Sequence, residues 1–339
     1  MHSPHDSKQI RIIWILFIIY IAVFFVSIGI GRYYVSIGNV LKILASTIFP
    51  IEQTWDDTMA RVVLHIRPSR LLVGSLVGAS LGLAGASFQG LFKNPLVSPD
   101  LLGVSSGAGF GAAFAILIGA GTVGVQFSAL FFGVVAVALV YLIHKAFKSP
   151  NVLMLVLAGI IVNGFFSSAL SLTKYVADPN DTLPAITFWL MGSLANADYE
   201  DFAFMVIPIL VSAGGIMMLR WKLNALSLGD AEAKALGVNV KRLRLLLVLF
   251  STVITAVSVC VSGTIGWVGL VVPHLARSFT GVNHSRLLPL SCILGALFLI
   301  ILDNIARTLT GAEIPLGIMT GIVGTPVFAL LLIKQKRTL

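Results

Sequence analysis

Histidine and cysteine, the side chains that most often bind metals or act as nucleophiles, are few and dispersed in this chain. The six histidines show no close ligand spacing, and Cys260 and Cys292 lie within long apolar runs. The pattern therefore predicts no metal site and no redox motif. No Ser/His/Asp or His/Glu arrangement indicates an intramembrane hydrolase, which would need such a group inside the apolar runs.

The glycine-rich loops that bind nucleotides are not evident either. No Walker A motif, G-x-x-x-x-G-K-[ST], occurs in the sequence. The stretch GAGTVG at 119–124 has the spacing of a dinucleotide loop, but it lies between two apolar runs and no strand precedes it. We interpret it as a glycine-rich turn. We therefore predict that the chain is not an enzyme and binds no cofactor of its own.

A dense group of charges lies at 229–244, GDAEAKALGVNVKRLR, in a chain of which only 11% is charged. Residues 231–236 include strong helix formers, Asp230 can cap the start of a helix, and Gly237 can end it in a left-handed conformation. These features predict a short helix that fits the groove of a partner protein. A solvated loop helix without a partner is the alternative.

The rest of the chain is apolar enough for a membrane. Hydrophobic residues make up 57% of 339 residues, the mean hydropathy is +0.98, and uncharged runs long enough to cross a hydrocarbon core of about 30 Å recur throughout. We therefore predict an all-α, multi-pass membrane protein with a single transmembrane domain over residues 1–339. Ten spans are expected, at about 12–31, 68–92, 103–119, 125–144, 151–173, 202–219, 243–262, 265–282, 287–305 and 314–333.

Lysine and arginine set the expected orientation. If both termini lie in the cytoplasm, sixteen basic residues fall on the cytoplasmic side and seven on the outer side, as the positive-inside rule requires. The charged segment then lies in the cytoplasm, in a stretch at about 221–244. The net charge of +9 is explained by this topology and indicates no nucleic-acid partner.

The predicted spans carry their ionisable residues at their ends. These residues are His144, His274, Arg277, Asp303, Arg307 and Glu313. A secondary transporter driven by an ion gradient usually has a carboxylate in mid-membrane, so this pattern argues against one. Glycine at every fourth position, at Gly74, Gly78 and Gly82, predicts close packing between helices. Energy for transport would therefore come from another subunit.

Four blocks of the sequence resemble one family. They are 67–112, which includes LAGASFQGLFKNPLVSPDLLGVSSGAG, the charged segment 229–244, SGTIGWVGLVVPHLAR at 262–277, and IPLGIMTGIVGTPVFALLL at 314–332. The match runs from about Arg61 to Leu332 in the family's order. It is similar to the permease subunits of the iron-siderophore, haem and vitamin B12 ABC importers, the FecCD type.

This resemblance implies the permease fold of a type II ABC importer in the cell (inner) membrane, surrounded by lipid. Two permease subunits, here expected to be a homodimer, would form the pathway. A cytoplasmic ATPase dimer would bind ATP and Mg, and a substrate-binding protein would deliver cargo at the outer face. The family's ATPase-coupling element corresponds to the charged segment. Its residues here are Gly229, Asp230, Glu232, Ala233, Leu236 and Gly237.

The resemblance also implies a cytoplasmic gate in the loop after the second span, at Asn94, Pro95 and Leu96. Pro95 stiffens this turn, and Leu96 can close a pore where two subunits meet. The family's second constriction, between the fourth and fifth spans, matches poorly at 149–154, so no residue is assigned to it.

At the outer face, arginines of the family meet acidic residues on the binding protein. Arg67 and Arg70 at the start of the second span, and Arg307 near the end of the ninth, occupy these positions. The spacing of Arg67 and Arg70 places both on one side of a helix. Anchoring of the three side chains at the membrane interface is the alternative.

The fifth span would line the translocation pathway. Asn163, Ser167 and Ser171 recur every four residues in it, although hydrogen bonds between helices explain such a stripe equally well. The expected cargo is a metal chelate, in the first place an iron-siderophore complex, with haem and corrinoid as close alternatives. An oxyanion, molybdate or tungstate, is the further alternative, because a weakly polar pathway leaves selectivity mainly to the binding protein.

Overall fold

The computed structural model describes residues 4–146 and 152–336, and within these ranges the regular elements are helices. Seven of the described helices are long and apolar enough to cross a membrane. They are α1 (Pro4–Gly29), α4 (Arg67–Phe92), α6 (Thr122–Ala146), α7 (Val152–Val176), α9 (Tyr199–Leu228), α11 (Val240–Ser262) and α13 (His284–Thr308). The shorter α-helices are α2 (Ile37–Ser46), α3 (Asp57–Arg61), α5 (Val104–Leu117), α8 (Thr182–Met191), α10 (Asp230–Ala235), α12 (Val268–Thr280) and α14 (Leu316–Lys336).

Each of the ten predicted spans contains a helix, but two of these helices are shorter than expected. They are α5 with 14 residues and α12 with 13. At 1.5 Å per residue α12 is about 20 Å long, less than the hydrocarbon core. Residues 147–151, which include Lys148 and part of the poorly matched second constriction, lie outside the described residues. Arg337 does as well.

Both predicted breaks in the longest apolar runs are confirmed. Gly119, with a φ of +73°, lies in the turn between α5 and α6, so the stretch at 119–124 forms this connection and the first residues of α6. α11 and α12 are separated by a turn in which Gly263 has a φ of +67° and Trp267 a φ of +69°. A positive φ is costly for a side chain as large as tryptophan, and the Trp267 ring packs edge-on against Phe328.

The glycine stripe on α4 allows a close helix contact, as predicted. A Cβ atom on Gly78 would overlap the carbonyl oxygen of Gly295 on α13, and one on Gly82 would overlap that of Ser291. Gly85, one turn further on, approaches the backbone of α12 in the same way. α4 is therefore the central helix of the bundle, with neighbours close enough for backbones to touch.

Five short elements were not predicted from the sequence, and α3 and α8 are two of them. α2 is capped by Ser36, whose hydroxyl accepts a hydrogen bond from the N–H of Asn39. A π-helical turn, Val62–Ile66, joins α3 to α4. A 3-10 helix, Pro99–Leu102, precedes α5, and its residues Pro99 and Leu102 are buried. The loop after α4 therefore returns into the bundle, and we call 97–103 the re-entrant segment.

Candidate functional site

The charged segment forms the predicted short helix α10, which lies between α9 and α11. Gly229 joins α9 to α10 with a φ of +152° and a ψ of +161°, a conformation almost restricted to glycine. A Cβ atom there would overlap the carboxylate of Glu232. The expectation that Asp230 caps α10 is wrong, because its carboxylate turns to Arg244 on α11, with 2.8 Å between Oδ2 and Nη2. This ion pair fixes the start of α10.

The end of α10 is confirmed at Gly237, which has a φ of +78°. The N–H of Gly237 donates to the carbonyl of Lys234 at 2.9 Å, and the N–H of Val238 donates to that of Ala233 at 2.9 Å. This pair of bonds is a Schellman motif, which satisfies the last helical carbonyls and turns the chain sharply. Both ends of α10 are thus held by specific contacts.

The two faces of α10 differ in exposure. Ala233 is 0% exposed and lies in the main apolar core of the chain. Ala233, which the resemblance assigned to the ATPase-coupling element, therefore packs inside the permease and offers no side-chain surface to a partner. Leu236 is 57% exposed, and Leu228 at the end of α9 is 70% exposed. Leu236 and Leu228 are large apolar side chains that are available to another protein here.

The predicted gate residues form a tight turn attached to α4. Lys93 is left-handed, with a φ of +52°. The N–H of Asn94 donates to the carbonyl of Gln89 at 3.1 Å, and Asn94 Oδ1 accepts the N–H of Leu96 at 2.9 Å across Pro95. Leu96 is 56% exposed, so the turn presents an apolar side chain at the surface.

Asn163 connects α7 to the re-entrant segment. Its Oδ1 accepts a hydrogen bond from Ser106 Oγ at 2.6 Å, and its Nδ2 donates to the carbonyls of Asp100 and Leu101 at 3.3 and 3.4 Å. Asn163 is therefore engaged within the chain. For this residue, hydrogen bonding between elements, the alternative explanation of the polar stripe, describes the geometry.

Ser167 and Ser171 lie on the part of α7 that its own chain leaves uncovered. Both are exposed, and Ser171 Oγ donates to the carbonyl of Ser167 at 2.9 Å. Large apolar side chains stand beside them, with Phe165 63% exposed and Leu172 64% exposed. This mixed surface of α7 is free to face a pathway, a second subunit or lipid.

Asp100 is a candidate that the sequence analysis missed. It accepts a hydrogen bond from Ser105 Oγ, and it lines a cleft of about 250 Å³ together with Ser98, Trp267 and Leu270. It lies beside the start of α12, in the connection between the predicted spans 68–92 and 103–119. The re-entrant segment is too short to show a helical period, so the sequence indicated a loop.

Arg70 forms a buried charge network with two acidic residues. Its Nη2 lies 2.8 Å from Asp303 Oδ1, its Nε 3.0 Å from the same oxygen, and its Nη1 2.9 Å from Glu313 Oε2. Arg70 is 7% exposed and Asp303 is 2% exposed, whereas Glu313 reaches solvent. The network joins α4 to α13 and to the loop before α14.

Arg67 and Arg307 also point inward. Arg67 Nη1 donates to the carbonyl of Ile28 at 2.6 Å, and Arg307 Nη2 donates to that of Ser27 at 2.8 Å. Arg307 Nε lies 3.6 Å from Asp303 Oδ2. The three arginines predicted to meet a binding protein, Arg67, Arg70 and Arg307, are thus buried and partnered by carbonyls at the end of α1 and by a buried carboxylate. Their part in docking stays a prediction.

Metal-binding groups were not expected from the sequence. Among the residues that the structure describes, no three His, Cys, Asp or Glu side chains are grouped so that they could hold a metal ion. Cys260 is buried and Cys292 is half-buried, and both are free thiols.

Comparison with known proteins gives one consistent result. The FecCD transport family matches residues 18–334. The molybdate import system permease protein MolB of Haemophilus influenzae is 42% identical over 92% of both chains. An iron chelatin transport system permease protein of Helicobacter pylori is 39% identical over 83% of this chain and 85% of its own.

A solved structure shares the architecture as well as the sequence. A metal-chelate type ABC transporter in an inward-facing conformation superposes with a TM-score of 0.86 and 41% identity, over 96% of this chain and 99% of that chain. Several long blocks in family order, seven long apolar helices and this superposition agree with one another. The chain therefore belongs to the FecCD transport family and is the multi-pass membrane permease subunit of an ABC importer, without catalytic activity of its own.

Proposed function

We propose that this chain and a second copy of itself form the pathway of an importer that a cytoplasmic ATPase dimer drives, with ATP and Mg bound by that dimer. The observation that carries this proposal is the geometry of α10. Its start is fixed to α11 by the Asp230–Arg244 ion pair, its end is fixed by the bonds at Gly237, and it exposes Leu236. A helix held in this way can transmit a force from a partner to the helices beside it.

The proposal includes ten membrane crossings in a single domain, with both termini in the cytoplasm. The distribution of basic residues supports this orientation, since sixteen fall on the cytoplasmic side and seven outside. α5 crosses together with the re-entrant segment, which adds the 3-10 helix Pro99–Leu102 to its 14 residues. α10 and the gate turn then face the same compartment as the ATPase.

Two copies of the chain would enclose the pathway between their exposed surfaces. Leu96 from each copy would close it on the cytoplasmic side, where Pro95 and Asn94 hold the turn. Ser167 and Ser171 on α7 would line it and offer only weak polar contacts, so that cargo is not retained. A substrate-binding protein would deliver the cargo at the outer face, where the buried arginines stabilise the helix ends on which it docks.

The cargo is a metal-containing solute, for which there are two candidates. The 42% identity to a molybdate permease over 92% of both chains favours an oxyanion, molybdate or tungstate. The 39% identity to an iron chelatin permease favours an iron chelate such as an iron-siderophore complex. Haem and corrinoid would be carried by the same kind of weakly polar pathway.

The exposed leucine of α10 allows a direct test of energy coupling. The Leu236→Arg permease should fold, since the side chain is exposed, but the ATPase should no longer co-purify with it and ATP-driven uptake should be lost. Leu309→Arg is the matched control for ATPase co-purification, because Leu309 is 65% exposed at the far end of α13, away from α10. Normal ATPase binding and uptake by the Leu236→Arg permease would contradict the proposal.

Uptake by proteoliposomes that contain the permease, the ATPase and the binding protein distinguishes the cargoes. Radioactive molybdate and a radioactive ferric-siderophore complex are supplied separately, with ATP or with a proton gradient alone. Import of one of them with ATP identifies the cargo class. Uptake driven by the proton gradient without the ATPase would contradict an ABC mechanism.

A further inference from the structure

Asn224 lies near the end of α9, five residues before Gly229 and α10. Its Oδ1 accepts the N–H of His284 at 2.7 Å and lies 3.0 Å from Nδ1 of the same residue. Its Nδ2 donates to Asn283 Oδ1 at 2.9 Å and to Ser285 Oγ at 3.3 Å. The side-chain amide thus uses two acceptor and two donor positions, its full capacity, on the first residues of α13.

The imidazole of His284 continues this contact to the end of α4. A Cβ atom on Gly90 would overlap Nε2 of His284, so ring and backbone are packed without a gap. The neighbouring Gln89 makes two contacts. Its backbone carbonyl accepts a hydrogen bond from the N–H of Asn94, the first gate residue, and its side-chain oxygen accepts one from Arg277 of α12. The last turn of α4, which directly precedes the gate turn, therefore contacts α13 through His284 and α12 through Arg277.

We propose that Asn224 is a positioning residue that couples movement of α10 to the gate turn Lys93–Leu96. This inference rests on the proposed function of α10. A displacement of α10 moves the last turn of α9, Asn224 carries that movement to the start of α13, and His284 presses it onto Gly90. Packed elements transmit displacement in this way because dense interiors compress little. Coupling between α10 and the gate turn is established by measuring transport directly.

The test compares two variants at the end of α9 in the complete complex of permease, ATPase and binding protein. Asn224→Ala removes the four contacts with α13, whereas Ser227→Ala removes a hydroxyl that donates only to Leu223 of its own helix at 3.0 Å. In proteoliposomes we expect the Asn224→Ala complex to hydrolyse ATP within about twofold of the wild-type rate and to import roughly tenfold less cargo per ATP, a loss of coupling equivalent to about 1.4 kcal/mol. The Ser227→Ala complex should keep the wild-type ratio.

The contact between His284 and Gly90 gives a second test of the cargo imported per ATP. His284→Ala leaves its backbone N–H bonded to Asn224 but removes the ring that packs on Gly90, so it should lower the ratio as well. The effects of the two variants should be less than additive when combined, since both interrupt one path. A residue with only a structural role would lower expression or thermal stability and leave cargo per ATP unchanged.

The outcomes that overturn the inference are specific. A wild-type ratio in the Asn224→Ala complex overturns it. If that variant does not assemble, Asn224→Asp is measured instead. It keeps both acceptor contacts and places an oxygen, which cannot donate, opposite Asn283 Oδ1. A wild-type ratio there also overturns the inference. Absence of ATP-driven import in the wild-type and Ser227→Ala complexes would overturn the proposed function of α10, and this inference with it.

Discussion

The outer-end charges lie inside the protein close to opposite charges or to backbone carbonyls. Arg70 binds Asp303 with two nitrogen atoms and reaches Glu313 with a third, while Arg307 approaches the other oxygen of Asp303. Removing a charge from water costs several kcal/mol, and only such close contacts offset that cost. The network therefore fixes the relative position of α4 and α13 at this end.

Loss of one partner of this network should destabilise the permease more than loss of two. Arg70→Met leaves Asp303 buried with fewer partners, which typically costs about 3–5 kcal/mol. Arg70→Met combined with Asp303→Leu removes both charges, leaves Arg307 on the carbonyl of Ser27, and should recover part of that loss. Thermal unfolding in detergent measures both variants, and exposed Arg61→Met serves as the control. A double variant less stable than the single one would contradict this account.

The direction of these side chains could not be predicted from the sequence. The outer location of Arg70, Asp303, Arg307 and Glu313 was predicted, and the i, i+4 spacing of Asp303 and Arg307 was a signal for pairing. Whether a helix-end arginine faces solvent or protein depends on the neighbouring helix, and the partners lie 233 and 243 residues away from Arg70. Ala233 shows the same limit, since a six-residue helix has no period long enough to indicate its buried side.

At the scale of elements, the structure depends on backbone contacts that glycine permits. α4 and α13 approach so closely at Gly78 and Gly295 that each residue leaves no room for a Cβ atom on the other. Small residues at such a spacing are the general means by which membrane helices associate. The apolar runs predicted the membrane helices and the two breaks. They did not predict that α12 is short, because apolar residues continue past both of its ends in loops.

A single methyl group at this contact should separate the two helices. Gly78→Ala places a Cβ against the carbonyl of Gly295, and overpacking of this kind typically costs about 1–3 kcal/mol. Gly214→Ala on α9 meets nothing within 4 Å and should be neutral or stabilising by up to about 1 kcal/mol. Melting temperatures of the two purified variants make the comparison. Equal melting temperatures would show that α4 and α13 tolerate a wider separation.

At the scale of the whole molecule, the surface of one chain is incomplete as a pathway. Leu96 on the gate turn and Phe165 on α7 are exposed, at 56% and 63%, although both belong to the region proposed to surround the cargo. A lone α7 surface cannot enclose a solute, and in the proposed function a second subunit supplies the opposite wall. The re-entrant segment with Asp100 would then lie beside the passage that the two copies form.

Cross-linking in membranes should detect this arrangement. With Cys260 and Cys292 replaced by serine, Leu96→Cys should form a disulfide-linked dimer on mild oxidation, because a disulfide requires Cα atoms within about 7 Å. Leu309→Cys, at the far end of α13 and 65% exposed, should remain monomeric on denaturing gels. Absence of the Leu96 cross-link, with and without ATP and the ATPase, would contradict a gate formed by two copies.

The distance between Arg70 and Asp303 along the chain has a consequence for biosynthesis. At roughly 5–20 residues per second, the ribosome needs on the order of 10–50 s to make the 233 residues that separate them. During that time the nascent α4 carries Arg67 and Arg70 into the translocon without the carboxylate that Arg70 binds in the folded protein. α4 must therefore wait at the insertion machinery, or let its arginines reach the headgroups, until α13 emerges. Chains arrested before α13 would keep these charges exposed to lipid. Such chains would be substrates for degradation by membrane quality control.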